Sequence, residues 1–436
     1  LSTSGRVVAR ELAAHAGESV LLEGWLHRQR QLKSLSFLIV RDATGLAQVV
    51  VSDATQAAEL AGLVEETVLQ VRGRVVANPA APGGAEVVDP QVTVLSPAVA
   101  PPPFDLYRPE LGATLPTQLD HAAVALRHPR RQRVFRISAA AVAGFRATLD
   151  AREFVEIQTP KIVESATESG ANVFGLDYFG RTAYLAQSPQ FYKQVMVGVF
   201  ERVYEVGPVF RAEPHDTARH LAEYVSLDAE LGFIRDHRDV MALLRDVIAG
   251  MLASVEERVP DFASVVEGGL PVVPAQIPSL HFADAQELIT AATGEDCKGE
   301  PDLAPAHERW LGEWARREHG SDFVFVAGYP MVKRPFYTHP EPDRPEFSNS
   351  FDLLFRGLEL VTGGQRLHRY DDYVAALAAK GQSPEPLDGY LAAFRHGMPP
   401  HGGFAIGLER FVARLTGAAN VREVTLFPRD LHRLSP

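Results

Sequence analysis

A proline-rich run, Ala100-Pro-Pro-Pro-Phe104, most constrains what this 436-residue chain can fold into, because the patterning differs on its two sides. Consecutive prolines favour a stiff, extended conformation and cannot continue a helix or a central strand. Before the run lie short β-branched stretches separated by turn residues. Ser19 to His27, Leu35 to Arg41, Leu46 to Val51, Thr67 to Ala77 and Glu86 to Leu95 read as strands, and Gln56 to Glu66 as a short helix. Asp42-Ala-Thr-Gly45 supplies a turn, and Asn78-Pro-Ala-Ala-Pro-Gly-Gly84 separates the last two strands. After the run, helical spacing spans Arg131 to Arg152 through Val134, Ile137, Ala141, Phe145 and Leu149. Strand-like stretches follow at 201–211, 223–234, 323–327, 350–354, 358–361 and 403–406. The first two form an antiparallel pair joined by a long polar loop. The expected organisation is a small barrel over 1–96, a linker or hinge over 97–126, and one large α+β region over 127–436.

Five strands and one helix in so few residues fit a small Greek-key barrel, either an OB-fold or an SH3-like barrel. Composition narrows the function. The chain is 46% hydrophobic and 22% charged, so it can fill ordinary soluble cores. Its one cysteine, Cys297, excludes an internal disulfide framework and a cysteine-based zinc cluster. No apolar run is long enough to span a bilayer, and LSTSGRVVARELAAHAGESV does not read as a signal peptide, so no membrane and a cytoplasmic location are expected. A net charge of −12 disfavours non-specific binding of DNA but leaves room for a local RNA site. Five arginines between Leu126 and Arg136 read as a solvated helix start rather than a phosphate contact. Neither GxGxxG nor GxxxxGK[ST] occurs, which disfavours Rossmann and P-loop folds.

Three constellations carry the chemistry. In the first, Val206 to Glu230, Arg211 ends a strand before a loop with Arg219 and His220. A guanidinium is permanently charged and forks onto two oxygens, which suits a polyphosphate. In the second, Gly402 to Leu415, an apolar strand passes through glycines into a helix whose first turns hold Arg410. A cation there opposes the helix dipole unless an anion lies between. In the third, Asn349 to Arg366, Asp352 and Glu359 sit on two strands separated by a turn. Such oxygen donors suit a Mg²⁺ ion held mainly by a nucleotide.

These stretches, in this order, resemble the class II aminoacyl-tRNA synthetases. Phe210-Arg-Ala-Glu213 with its loop is similar to motif 2, Gly407-Leu-Glu-Arg410 to motif 3, and Phe154-Val-Glu-Ile-Gln-Thr-Pro160 to motif 1. The resemblance implies an antiparallel sheet flanked by helices, and with an N-terminal OB barrel it points to the aspartyl, asparaginyl and lysyl group. Leu185-Ala-Gln-Ser-Pro-Gln-Phe-Tyr-Lys193 is similar to the QSPQxxK signature of the aspartyl enzymes. It implies that Lys193 and Arg366 hold the substrate β-carboxylate. A lysine-specific site would offer acids instead, because a buried charge needs opposite partners. Residue by residue, the resemblance also assigns Glu168 to a loop closing over the amino acid, Gln190 and Asp228 to the substrate ammonium, and Arg211 to the α-phosphate. Glu213 falls to the adenine side, Arg219, His220, Leu221 and Gly407 to ATP, and Arg410 to the γ-phosphate. Glu359 and Thr362, with Asp352, fall to Mg²⁺, and Arg211 and Thr362 also to the aspartate. Pro160 falls to a homodimer interface, and Phe37, Gln48 and His27 to the anticodon.

The expected activity is ATP-dependent formation of aspartyl-adenylate and its transfer to the 3′ end of tRNA(Asp). The short spacing between motifs 2 and 3 resembles the archaeal-type branch. Gly24-Trp-Leu is followed by His27 rather than tryptophan, and the loop Asn78 to Gly84 has no lysine. Both point to a non-discriminating enzyme that also charges tRNA(Asn), whose product would feed an amidotransferase. The alternatives are an asparaginyl-tRNA synthetase, an asparagine synthetase-like paralogue and an inactive tRNA-binding relative.

Overall fold

The computed structural model describes residues 5–33, 35–164, 172–214, 216–266 and 268–435. The chain divides into two compact units, Leu1–Gln132 and Arg133–Ser435. The stretch expected as a linker therefore packs within the first unit.

The first unit is a closed barrel of β1 (Ser19–Gln31), β2 (Ser36–Arg41), β3 (Leu46–Val51), β4 (Val68–Ala77) and β5 (Ala85–Ser96), in the order β1-β2-β3-β5-β4. Helix α1 (Ala54–Leu60) joins β3 to β4. This is the OB arrangement, and it settles the choice between the two barrels. Alternation builds the core: Leu22, Leu26, Leu38, Val40, Val49, Leu69, Val71 and Val87 point inward. Helix α1 is shorter than the sequence pattern suggested. Asp53 caps its start by accepting from the Gln56 N–H, but after Leu60 the chain turns at Gly62 and the helical face is not continued.

The linker adds α2 (Leu115–Asp120) and α3 (Ala122–Ala125). The long helix α4 (Pro129–Asp150) begins with proline, whose missing N–H costs nothing there. His128 Nδ1 accepts from the Arg130 N–H. Arg127 pairs with Glu66, Arg131 bonds Gln118 and Arg133 pairs with Asp261, so these arginines are engaged with protein partners.

The second unit continues through β6 (Val155–Glu156), β7 (Ile162–Val163), β8 (Gly175–Tyr178), β9 (Arg181–Leu185), α5 (Gln190–Phe200), β10 (Arg202–Phe210), β11 (Glu223–Gly232) and α6 (His237–Arg258). Then come β12 (Ser279–His281), α7 (Phe282–Thr293), α8 (Pro305–His319), β13 (Phe323–Ala327), β14 (Ser350–Phe355), β15 (Leu358–Gln365), α9 (Tyr370–Ala379), α10 (Asp388–Arg395), β16 (His401–Gly407) and α11 (Leu408–Thr416). Eight strands form one sheet, β12-β13-β14-β15-β16-β11-β10-β6, antiparallel except at β12–β13 and β10–β6. Strands β7, β9 and β8 make a small separate sheet that the sequence pattern did not suggest.

One face of the large sheet is buried under helices. Leu227, Ala229, Phe404, Ile406 and Val361 pack with Ile137, Phe145 and Leu149 of α4, Leu244, Val247 and Met251 of α6, and Phe411 of α11. Each such side chain stabilises the fold by roughly 1.5–3 kcal/mol on burial. At Gly144 of α4 a Cβ would lie 2.5 Å from the Gly250 carbonyl of α6, so only glycine lets these backbones approach. The period-2 alternation sends Ser226, Ala405 and Gly407 to the opposite face, where the pocket lies. Among the described residues no helix is long and apolar enough to cross a membrane.

Candidate active site

The pocket on the open face of the sheet has a volume of about 490 Å³. Arg211, Glu213, Arg219, His220, Leu221 and Arg410 line it together, although they come from motifs about 200 residues apart. Arg211 leaves β10 at its end, where its N–H bonds the Ala222 carbonyl across the hairpin. Its Nη1 lies 3.8 Å from Glu213 Oε1, and its guanidinium is 5.9 Å from the Tyr224 ring centroid. His220 Nε2 lies 3.8 Å from Glu213 Oε2. Arg410 projects from the first turns of α11, with Nη1 4.0 Å from Glu359 Oε1. Gly407 precedes that helix. A Cβ there would meet only ordinary contacts with Arg410 at 3.8–3.9 Å, so space does not require glycine.

The other end holds Gln190 and Arg366, which also line the pocket. Arg366 Nε donates to Glu230 Oε1 at 3.0 Å, and its Nη2 to the Gly403 carbonyl at 3.1 Å and to Gln190 Oε1 at 3.5 Å. A Cβ on Gly403 would lie 2.1 Å from both the Ala229 carbonyl oxygen and Glu230 Oε2, so glycine admits the buried acid at this level. Lys193 and Asp228 lie beneath the floor, each 1% exposed, and neither is among the lining residues. Lys193 Nζ donates to Asp228 Oδ1 at 2.9 Å and to the Phe404 carbonyl at 3.2 Å, and lies 3.3 Å from Glu230 Oε2. Asp228 also accepts from Ser226 Oγ. The sequence reading expected Lys193 and Asp228 as direct contacts. Here the two pair with each other beneath the floor, where Arg366, Gln190 and Ser226 line the pocket. Burial works to raise the Glu230 carboxyl, yet Arg366 and Lys193 hold it below the usual carboxylate range.

Glu359 and Thr362 also line the pocket, and Thr362 Oγ1 donates to Glu359 Oε1 at 3.3 Å. Residues three apart on a regular strand face opposite ways. Here the β14–β15 register shifts, with Leu353 opposite Val361 but Leu354 opposite Glu359, and this bulge brings both oxygen donors to one face. Glu308 of α8 holds the turned strand by accepting from the Glu359 N–H at 3.0 Å. Asp352 stands opposite Thr362 in the β14–β15 register, and its carboxylate accepts from the Thr362 and Tyr329 hydroxyls. It is 4% exposed, its Oδ1 accepts from Arg334 Nη2 at 3.0 Å, and it is not among the lining residues. Burial pushes its carboxyl up to about 6 despite the pull of Arg334. Arg334 thus shares the carboxylate that the resemblance assigns to Mg²⁺. Among the described residues there is no group of three or more His, Cys, Asp or Glu able to hold a metal. The pair of Glu359 and Thr362 fits only an ion whose other ligands come from a bound nucleotide.

Sequence reasoning missed Arg334, Tyr337, Thr338 and Glu409, all of which line the pocket. Glu409 follows the motif 3 leucine, so its position was readable, but its job was not. Its two carboxylate oxygens accept from the Val225 N–H at 3.1 and 3.2 Å, tying α11 to β11, and burial raises its carboxyl to about 7. Glu168 lies outside the described residues. Pro160 is exposed, between Thr159 and Lys161, which both bond the buried Glu205.

On the barrel, Phe37 and Gln48 are half-buried on neighbouring strands, on the outer side of a wall whose inner side is Leu38, Val40 and Val49. Gln48 Nε2 and Asn78 Nδ2 both donate to Glu86 Oε2, at 2.7 and 2.8 Å. His27 sits inside the first unit. It is 4% exposed, and Arg41 Nη1 donates to its Nδ1 at 3.1 Å while forking onto Glu66 at 2.7 and 2.8 Å. Burial and then Arg41 push its imidazole down to about 4, so it stays neutral and inside.

Comparison with known proteins agrees with this geometry. The family model "tRNA synthetases class II (D, K and N)" matches residues 114–431, and the "OB-fold nucleic acid binding domain" matches residues 20–95. The chain is 48% identical to the Aspartate--tRNA(Asp/Asn) ligase of Thermus thermophilus, over 99% of this chain and 100% of that one. It is 45% identical to the protein of the same name from Deinococcus radiodurans, over 99% of both. Among solved structures, asparaginyl-tRNA synthetase from Pyrococcus horikoshii with asparaginyl-adenylate superposes with a TM-score of 0.92 at 29% identity, covering 99% of both chains. Aspartyl tRNA synthetase from Entamoeba histolytica gives 0.88 at 29% identity, covering 99% of this chain and 93% of that one.

Proposed function

The chain belongs to the class II tRNA synthetases of the aspartyl, lysyl and asparaginyl group, and from that premise we propose that it is an aspartate--tRNA ligase. The observation that carries this reading is the division of one pocket. Arg211, Arg219, His220 and Arg410 gather at one end for a polyphosphate, and Arg366 closes the other for a small carboxylate. Because Glu230 and Asp228 already balance Arg366 and Lys193, the selection for aspartate rests on donor geometry rather than on surplus positive charge. ATP–pyrophosphate exchange with aspartate, run beside asparagine and lysine, tests the reading. Exchange supported better by asparagine would replace it with the asparaginyl one.

In the reaction the aspartate α-carboxylate attacks the α-phosphorus of ATP in line. The bond to the β-phosphate oxygen breaks and pyrophosphate leaves. Arg211 faces the α-phosphate, where it stabilises the charge that builds in the pentavalent transition state. Arg410 and His220 hold the terminal phosphate and favour a bent ATP. Glu359 and Thr362 would hold Mg²⁺, which screens the phosphate charge. The 3′-terminal hydroxyl of tRNA then attacks the aspartyl carbonyl and AMP leaves.

For tRNA, Phe37 offers a stacking surface and the Gln48–Glu86–Asn78 group a set of hydrogen-bonding edges to splayed anticodon bases. We propose that both tRNA(Asp) and tRNA(Asn) are charged. The relatives named Asp/Asn ligases and the Pro/Gly-rich loop after Asn78 support this, whereas buried His27 does not. Strictness for one first anticodon base needs a contact that the other base leaves unpaired. Charging of both transcripts with labelled aspartate should agree within about a hundredfold; a gap wider than that, near 2.7 kcal/mol, makes the enzyme discriminating. Aspartyl-tRNA(Asn) would then feed an amidotransferase.

A homodimer in the cytoplasm completes the proposal. Strand β6 ends the large sheet with Val155 exposed, and Ile162, Val199 and Phe200 add exposed apolar surface in the same unit. Light scattering at micromolar concentration should give twice the chain mass of 47.6 kDa; the single-chain mass would remove the dimer.

A further inference from the structure

The segment after α11 carries an arginine that the reaction does not use. Arg422 sits in a 3₁₀ turn, Val421–Val424, and is 7% exposed. Its Nη2 donates to Asp216 Oδ1 at 2.7 Å, its Nη1 to the Thr217 carbonyl at 3.1 Å, and its Nε to Asp430 Oδ2 at 2.6 Å. Two backbone bonds run alongside. The Val421 N–H donates to the Ala218 carbonyl at 2.8 Å, and the Ala222 N–H to the Arg429 carbonyl at 2.8 Å. The loop between β10 and β11 is thereby tied to the C-terminal segment at several points. The tie reaches the pocket directly. Thr217 Oγ1 shares a hydrogen bond with His220 Nδ1, and both His220 and Val421 line the pocket.

We propose that Arg422 is a positioning residue of the nucleotide site, holding the loop so that Arg219 and His220 face the phosphates before ATP arrives. The inference rests on reading the cationic end of the pocket as the ATP site. A hairpin loop of polar residues would otherwise have to be ordered at the moment of binding, at the expense of affinity. Arg422 suits the task because a fixed, always-charged fork can bridge two segments at once. Asp430 is a secure anchor at the far side. Burial works to raise its carboxyl, but Arg422 and the His432 and Arg433 N–H groups keep it ionised below the usual range.

The test separates the loop side of the tie from its anchor. Asp216 is half exposed, so Asp216→Ala removes the charged loop contact of Arg422 while its bonds to the Thr217 carbonyl and to Asp430 remain. Its KM for ATP should rise roughly tenfold, the size of one charge-assisted hydrogen bond. Its KM for aspartate, its kcat and its melting temperature should stay near those of the parent. Asp216→Glu, which can still reach Arg422, should recover most of the ATP affinity. Arg422→Ala should show a larger rise in the ATP KM together with a lower melting temperature. Arg410→Ala serves as a check on the site itself. If it weakens ATP while Asp216→Ala and Arg422→Ala both leave the ATP KM within about twofold, Arg422 has no positioning role. An equal rise of both substrate KM values in Asp216→Ala overturns it as well, since that signals general loosening. If none of these variants changes the ATP KM, the pocket reading fails and the inference with it.

Discussion

Arg211→Ala should lower aspartate-dependent ATP–pyrophosphate exchange by about 10²–10³-fold, the usual loss when one preorganised donor to a developing negative charge is removed. The guanidinium stands on the pocket wall at the end of β10, where its backbone is fixed by the bond to Ala222. Its side chain is 37% exposed and its acidic neighbour Glu213 is 3.8 Å away. Truncation therefore leaves no buried acid stranded, and the melting temperature should hardly move. The effect should appear mainly in kcat, because the α-phosphorus gains charge only as the nucleophile attacks. Arg211→Lys should recover little, since a point charge cannot fork onto two phosphate oxygens. A loss of less than tenfold in Arg211→Ala would take this side chain out of the transition state.

Lys193→Leu should have a double effect, losing aspartate activation and destabilising the catalytic unit by about 3–5 kcal/mol. Asp228 would keep only the Ser226 hydroxyl, and Glu230 only Arg366, in sites 1% and 0% exposed. The stability loss could mask the functional one, so a second variant separates them. Lys193→Met combined with Asp228→Asn removes the ion pair while keeping volume and a polar partner for Ser226. It should melt much closer to the parent and still fail to activate aspartate, because Glu230 would then draw Arg366 away from the pocket. Thermal melts and exchange assays on both variants decide this. A well-folded double variant with the parental KM for aspartate would show that Lys193 serves the fold alone.

Much of the catalytic unit was readable along the chain. The hairpin of β10 and β11, the helix from Arg131 and the strand-to-helix passage at Gly407 each follow from local period and turn residues, and they carry Arg211, Arg219, His220 and Arg410. The bulge in β15 was not readable, because nothing local distinguishes Leu360 from any other apolar strand residue. It arises where β14 sets the register and Glu308 of α8 takes the freed N–H. The burial of His27 was equally invisible. It depends on Glu66, distant in sequence, holding Arg41 where it bonds the imidazole Nδ1.

The sequence by itself determined the family, the two-part architecture and the cationic end of the pocket, since each depends on residues close together in the chain or on the ordered spacing of motifs. Only the tertiary structure decided how charge is balanced at the amino-acid end. Lys193 of helix α5 meets Asp228 of β11, Arg366 meets Glu230 from 136 residues away, and Arg334 pairs with Asp352 of β14. The physical reason is that a buried charge takes its meaning from its partners. Those partners are set by which strands the folded sheet brings side by side, and not by the order of residues along the chain.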